Sequence, residues 1–181
     1  ITIMSTSHTN PIVDIHTNYG IISAELFQEK APLTVANFLN YVDKALFHNS
    51  SVFRIVNDTN SQQLEDDNAK IQVVQCGIMP QDRKLLAPIA HEPTIDSGIM
   101  HVDGTLSMAR FAPGTADGSF FFCINDQPEL NFGGKRYDDG LGFAAFGQLI
   151  AGRDVLTQIY HCAETQEYLA TPVEIISIVR R

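Results

Sequence analysis

Long apolar runs, cysteines and basic charge are all scarce in this 181-residue chain. No apolar stretch approaches the ~18 residues that a membrane-spanning helix needs, so none is expected within these residues. Cys76, Cys123 and Cys162 are too few and too widely spaced for a disulfide framework, and at most one pair could form. Their spacing does not suit a zinc site either, and they read as small buried hydrophobes. Twelve Lys and Arg stand against 21 Asp and Glu, a net charge of −9. A chain this acidic is repelled by phosphate backbones and anionic lipid surfaces, so neither nucleic acid nor a membrane is an expected partner. There is no internal repeat and no low-complexity tract. The six histidines form no pair at metal-ligand spacing within one strand, and His101-Val102-Asp103 reads as a turn. Gly133-Gly134-Lys135-Arg136 lacks the helix and hydroxyl that complete a phosphate-binding loop, and reads as a surface turn. No metal and no cofactor is called for.

What is present is enough for one globular unit. With 44% hydrophobic and 18% charged residues the chain can bury a sizeable core, and its length predicts a single domain. Residues 1–11 read as a frayed lead-in and 12–181 as the domain. Residues 12 to 27 predict a hairpin turned by Asn18-Tyr19-Gly20, with Ile22, Ala24 and Leu26 on one face. Pro32 breaks the strand, and the next segment is helical, with Thr34 able to cap its first turn. Val35, Phe38, Leu39 and Val42 recur along it at helical spacing, with Asn37, Asn40, Asp43 and Lys44 on the wet side. Short strands follow at Val52 to Val56, Ile71 to Gly77, Thr105 to Met108, Phe120 to Ile124, Ala144 to Ile150 and Val173 to Val179. A second short helix is predicted over Arg153 to His161. Asn57 to Lys70, with Glu65-Asp66-Asp67, is a polar acidic loop long enough to be a candidate for function. Many short strands with two helices indicate a mainly β barrel or sandwich, and periodicity alone does not separate the two.

Several stretches taken in order resemble the cyclophilins. They are Gly20-Ile-Ile-Ser-Ala-Glu-Leu-Phe27, Ala31-Pro-Leu-Thr-Val-Ala-Asn-Phe38, Ser51-Val-Phe-Arg-Ile-Val56 and Val74-Gln-Cys-Gly77. Gly104-Thr-Leu-Ser-Met-Ala-Arg110, Gly118-Ser-Phe-Phe-Phe-Cys123 and Leu141-Gly-Phe-Ala-Ala-Phe-Gly147 continue the series, and Gly152-Arg-Asp-Val-Leu156 ends it. The spelling is most similar to a bacterial branch. The resemblance implies a closed eight-stranded antiparallel β-barrel with an α-helix capping each end. It also implies peptidyl-prolyl cis-trans isomerase activity on proline-containing polypeptides, in support of protein folding.

That activity requires no nucleophile. An X–Pro bond resists twisting because of amide resonance, with a barrier of ~18–20 kcal/mol. In the twisted state the prolyl nitrogen regains a lone pair, so a donor aimed at it stabilises the transition state more than the ground state. Arg54 matches the family's arginine for this role, and Gln75 its glutamine, which positions the arginine and a substrate carbonyl. The resemblance places Phe122 in the floor of the proline pocket, Met108 near the socket, Ala109 on the peptide-binding wall and Leu130 at the pocket edge. Phe120 and Phe122 share a parity that Phe121 does not, so the three cannot all face one pocket.

The chain also departs from the family pattern. Phe53 stands where many members carry histidine, Gln72 and Val73 stand for the usual Phe and Met, and Arg110 stands for Asn. Phe120 falls at the second glutamine and Phe143 at the pocket histidine, and the pocket tryptophan is missing from a chain without any Trp. These changes leave the arginine and alter the rim formed by Phe53, Val73, Phe120 and Phe143. They motivate an alternative reading, a cyclophilin-fold module that grips proline segments without accelerating rotation. No exposed heptad or apolar stripe asks for a second copy, so a monomer is expected. The start at Ile1 and the bacterial character lean toward a periplasmic protein with a cleaved export signal over a cytoplasmic one.

Overall fold

The computed structural model describes residues 9–61, 69–79, 81–82 and 84–181. The acidic triplet Glu65-Asp66-Asp67 and most of the predicted lead-in lie outside the described residues. Eight strands, β1 (Ile12–Thr17), β2 (Gly20–Leu26), β3 (Ser50–Val56), β4 (Val73–Gly77), β5 (Thr105–Met108), β6 (Ser119–Cys123), β7 (Ala145–Ala151) and β8 (Tyr168–Arg180), form the wall. They close into a barrel in the order β1-β2-β7-β5-β6-β4-β3-β8. Every neighbouring pair is antiparallel. The choice left open by periodicity is settled in favour of the barrel, which leaves no strand edge unpaired.

Inward-facing residues alternate with outward ones. Val13 and Ile15, then Ile22, Ala24 and Leu26, Val74 and Cys76, and Phe120 and Phe122 all enter one large core. Two main helices close it. Helix α1 (Pro32–Asp43) buries its predicted stripe and drives Phe38 among Phe47, Phe120 and Phe146, with ring centroids 5.2, 5.0 and 5.2 Å away. A one-turn helix, α2 (Thr94–Ser97), lies in the long connection between β4 and β5. Helix α3 (Arg153–Tyr160) buries Leu156 and Ile159 in the same core. Its N-cap Gly152 has φ +86°, and a Cβ there would stand 2.3 Å from the Ile21 carbonyl oxygen, so only glycine lets α3 start so close to β2.

Two details of α1 differ from the sequence reading. Thr34 does not cap the helix; its N–H and hydroxyl both donate to Glu92 Oε1 at 2.6 Å, and the Leu33 N–H donates to Oε2. A carboxylate from a distant loop thus satisfies the orphan donors and complements the helix dipole. Asn37 is buried and not on the wet side, because its amide donates to the Asp117 carbonyl (2.8 Å). The three cysteines are free, with Cys76 and Cys123 buried and their thiol pKa values pushed up by burial.

Phe38 is 1% exposed and joins the helix to three other rings. Truncating it removes those contacts and leaves a cavity. Phe38→Ala is expected to cost about 3–5 kcal/mol of unfolding free energy, read from the urea midpoint.

Candidate active site

The site is built on the outer face of β3, β4 and β6, with the barrel core behind it. Val73 and Gln75 alternate with the core residues Val74 and Cys76, and Phe121 alternates with Phe120 and Phe122. A second, smaller apolar cluster forms there from Val56, Ile71, Val73, Phe121, Cys123, Leu130 and Phe143, with Ala109 and Tyr137 packed on it. The segment after β6 folds over this cluster and leaves a cavity of about 160 Å³.

Arg54 reaches this cavity because β3 is bulged. Val52 pairs with Cys76, yet Arg54 pairs with Gln75, one position short of regular register. Phe53 is the extra residue. Were Phe53 paired in regular register, Arg54 would fall opposite Val74 and face the core; with the bulge it shares the outer face with Gln75. The arginine is then held from two sides. Nε and Nη2 donate to Glu167 Oε2 (3.0 and 2.7 Å), and Nη1 donates to Gln75 Oε1 (2.9 Å). Gln75 is itself fixed, its Nε2 donating to Ser119 Oγ at 2.8 Å. The ring of Tyr168 lies 5.6 Å from the guanidinium carbon. Three of the five N–H groups of Arg54 are thereby committed, and two have no hydrogen-bond partner among the described residues.

Of the residues picked out from the sequence, Arg54, Gln75, Val73, Ala109, Leu130 and Phe143 line the cavity. Met108, Phe120 and Phe122 do not. All three point into the barrel core, and the phenylalanine in the cavity floor is Phe121. The match to the family is displaced by one residue there, so Ser119 and not Phe120 shares the cavity face with Phe121. Phe53 is also absent from the lining; it is 2% exposed and stacks on Tyr168 at 6.3 Å. Sequence reasoning missed Phe121, Ser119, Tyr168 and Glu167, and it read Arg136 as part of a surface turn although Arg136 lines the cavity. The predicted loop after β3 borders the site through its described end, where the Ala69 carbonyl accepts from Arg136.

Arg110, which stands for the usual Asn, is a structural tie. Its side chain is 1% exposed and pairs with both oxygens of Asp139 (2.9 and 3.0 Å). It also donates to the carbonyls of Phe111 and Gly142, which commits all five N–H groups. The rings of Tyr137 and Phe143 lie 5.0 Å from it, so it pins the covering segment onto the barrel. The hydrogen bond from Arg110 holds the Asp139 carboxyl below the usual carboxylate range.

The sequence model described as "Cyclophilin type peptidyl-prolyl cis-trans isomerase/CLD" matches residues 12–180. Peptidyl-prolyl cis-trans isomerase B of Escherichia coli is 33% identical over 152 residues, covering 82% of this chain and 83% of that protein. A peptidyl-prolyl cis-trans isomerase of Acinetobacter baylyi is 33% identical over 176 residues, covering 93% and 85%. The crystal structure of a cyclophilin-type isomerase from Cryptosporidium parvum shares the fold at a TM-score of 0.71 and 22% identity, covering 95% of this chain and 98% of its own. That protein has also been crystallised in the presence of the dipeptide Ala-Pro. The closed barrel with an outer-face cleft defines a cyclophilin fold. The chain belongs to the cyclophilin-type peptidyl-prolyl cis-trans isomerases.

Behind Phe121 lies His101, stacked on it at 6.3 Å and 1% exposed. Its Nδ1 donates to Asn131 Oδ1 and its Nε2 accepts from the Ser107 hydroxyl, both at 2.8 Å. The ring is neutral, and burial lowers its pKa to about 4. The unfolded chain, with a histidine pKa near 6.5, binds the proton first. Stability is therefore full above about pH 6.5 and falls as pH drops toward 4, by about 2 kcal/mol at pH 5. Urea unfolding at pH 7.5 and pH 5 is expected to show this loss, and His101→Gln to remove most of the difference while lowering stability at both.

Proposed function

We propose that the cavity takes the ring of a proline within a polypeptide and that Arg54 accelerates rotation about the preceding bond. Val73, Phe121, Leu130 and Phe143 offer an apolar floor, each at most 6% exposed. A proline ring placed on it loses water and is held while the amide on its N-terminal side turns. As the amide leaves planarity, its nitrogen becomes pyramidal and accepts a hydrogen bond from an uncommitted N–H of Arg54. The planar amide nitrogen accepts no such bond, so the interaction lowers the barrier and does not merely deepen binding. No bond is broken and no proton is transferred. Gln75 serves as a positioning residue, since its carbonyl faces the arginine and its amide is fixed by Ser119. The observation that carries this reading is the bulge at Phe53, which delivers Arg54 to the apolar floor.

Cis–trans exchange of a neutral Ala-Ala-Pro-Phe-type peptide, followed by NMR, tests the reading. Wild type is expected to accelerate exchange, Arg54→Ala to lose about 10²–10³ of kcat/KM, and Arg54→Lys to recover little, because an ammonium lacks the guanidinium fork. Peptide line broadening by wild type without faster exchange would instead establish a proline-binding module.

A further inference from the structure

The cleft is lined by three arginines whose N–H groups are committed very differently. Arg110 has none to offer. Arg54 has two. Arg136 donates only one that the structure shows, from Nη1 to the Ala69 carbonyl at 3.0 Å, and yet it is 8% exposed. Among the described residues no carboxylate lies within ion-pair distance of it. No fully buried side-chain nitrogen among them lacks a hydrogen-bond partner, so the uncommitted nitrogens of Arg136 must keep an opening to the solvent of the cavity that they line. Burial, and then the nearby charge of Arg54, both disfavour its cation, against a smaller opposing effect of Glu167. A largely desolvated guanidinium without an ion-pair partner is costly, and among the described residues Arg136 has none.

The position of this charge is defined by β4. Arg136 reaches the carbonyl of Ala69, ahead of Ile71 and Val73, whereas Ser119 pairs with Gly77 at the other end of the strand. The cleft therefore runs from Arg136, past the Gln75–Arg54 clamp, to Ser119 and Asp117. Asp117 is also without a cationic partner among the described residues; its carboxylate accepts the Gly118 N–H. Among the described residues, a cation without an ion-pair partner thus stands at one end of the proline cleft and an anion without one at the other, in a protein of net charge −9.

We propose that Arg136 is a subsite for a carboxylate side chain flanking the substrate proline, so that the cleft selects Asp- or Glu-flanked prolines. The inference rests on the reading of the cleft as an X–Pro site. A carboxylate beside the proline meets a planar fork with several free N–H groups, the geometry that guanidinium binds in bidentate fashion. Because the guanidinium is already fixed and partly desolvated, the contact loses little to side-chain ordering or to salt screening.

The test uses peptides that place Glu, Gln or Lys immediately before or after proline, with exchange rates measured for wild type, Arg136→Met and Arg136→Lys. Wild type is expected to favour Glu over the isosteric Gln by about tenfold at one of the two positions and to disfavour Lys there. Arg136→Met should abolish that ratio while still accelerating the Gln peptide, and Arg136→Lys should keep part of it. A Glu-to-Gln ratio near one in wild type, or a ratio unchanged in Arg136→Met, overturns the subsite. A variant that merely loosened the cleft would slow both peptides equally, and that result also counts against it. Failure of wild type to accelerate the Gln peptide and every other neutral peptide would instead overturn the isomerase reading itself, so the two failures are distinguishable.

Discussion

One extra residue in β3 decides which way the key side chain points. Val52 and Ile55 both enter the barrel core although they are three positions apart, which a regular strand forbids. The bulge at Phe53 resolves the conflict, and Arg54 is turned outward as a result. In regular register a guanidinium would be driven into a core lined by Val74, Phe122 and Ile175, at a desolvation cost that nothing there could offset. The bulge is supported from the other side as well. Tyr168 pairs with Arg54 while Val173 pairs with Val52, so β8 makes its own excursion there. That excursion brings Tyr168 over Phe53 and leaves Glu167 beside the arginine.

The same strand geometry divides the phenylalanines of β6 between two tasks. Phe120 and Phe122 pack with Phe38 and the aliphatic core, and Phe121 between them forms the cleft floor. The floor is therefore as rigid as the barrel wall. Rigidity matters for a reaction that changes only a dihedral angle, because a donor already held where the pyramidal nitrogen forms needs no reorganisation when the amide twists. Two acceptors fix Arg54, and Gln75 in turn is anchored to Ser119, so the geometry is set before any substrate arrives.

Much of the fold was legible in the sequence because alternation and helical periodicity are direct records of burial. The stripe of α1, the hairpin of β1 and β2 and the order of the strands follow from them and from the family resemblance. The errors fall where the pattern is silent. Three consecutive phenylalanines carry no parity of their own, and a one-residue displacement in matching them moved the floor from Phe121 to Phe122 and the polar rim residue from Ser119 to Phe120. A bulge leaves no mark in composition, so Phe53 was placed on the rim and not behind Tyr168. Met108 was misplaced for a similar reason, since a short strand of four buried residues gives no face to read. Contacts made across long sequence separations, such as Glu92 with Thr34 and Glu167 with Arg54, have no local signature at all.

The distribution of charge around the cleft follows from the same non-local packing. Arg110, Arg54 and Arg136 are chemically identical, and sequence offers no means of ranking them. Their partners do so. Asp139 and two carbonyls saturate Arg110, which then serves only to hold Tyr137, Phe143 and the covering segment in place. Glu167 and Gln75 orient Arg54 but leave two of its donors uncommitted among the described residues. Arg136 is 8% exposed and held at the Ala69 carbonyl, and among the described residues it keeps most of its donors for the cavity it lines. A surface carrying excess negative charge would ordinarily repel acidic segments. On the reading proposed for Arg136, which has no ion-pair partner among the described residues, that preference is reversed locally, because screening and the low polarity of the cleft make the near charge outweigh the distant ones.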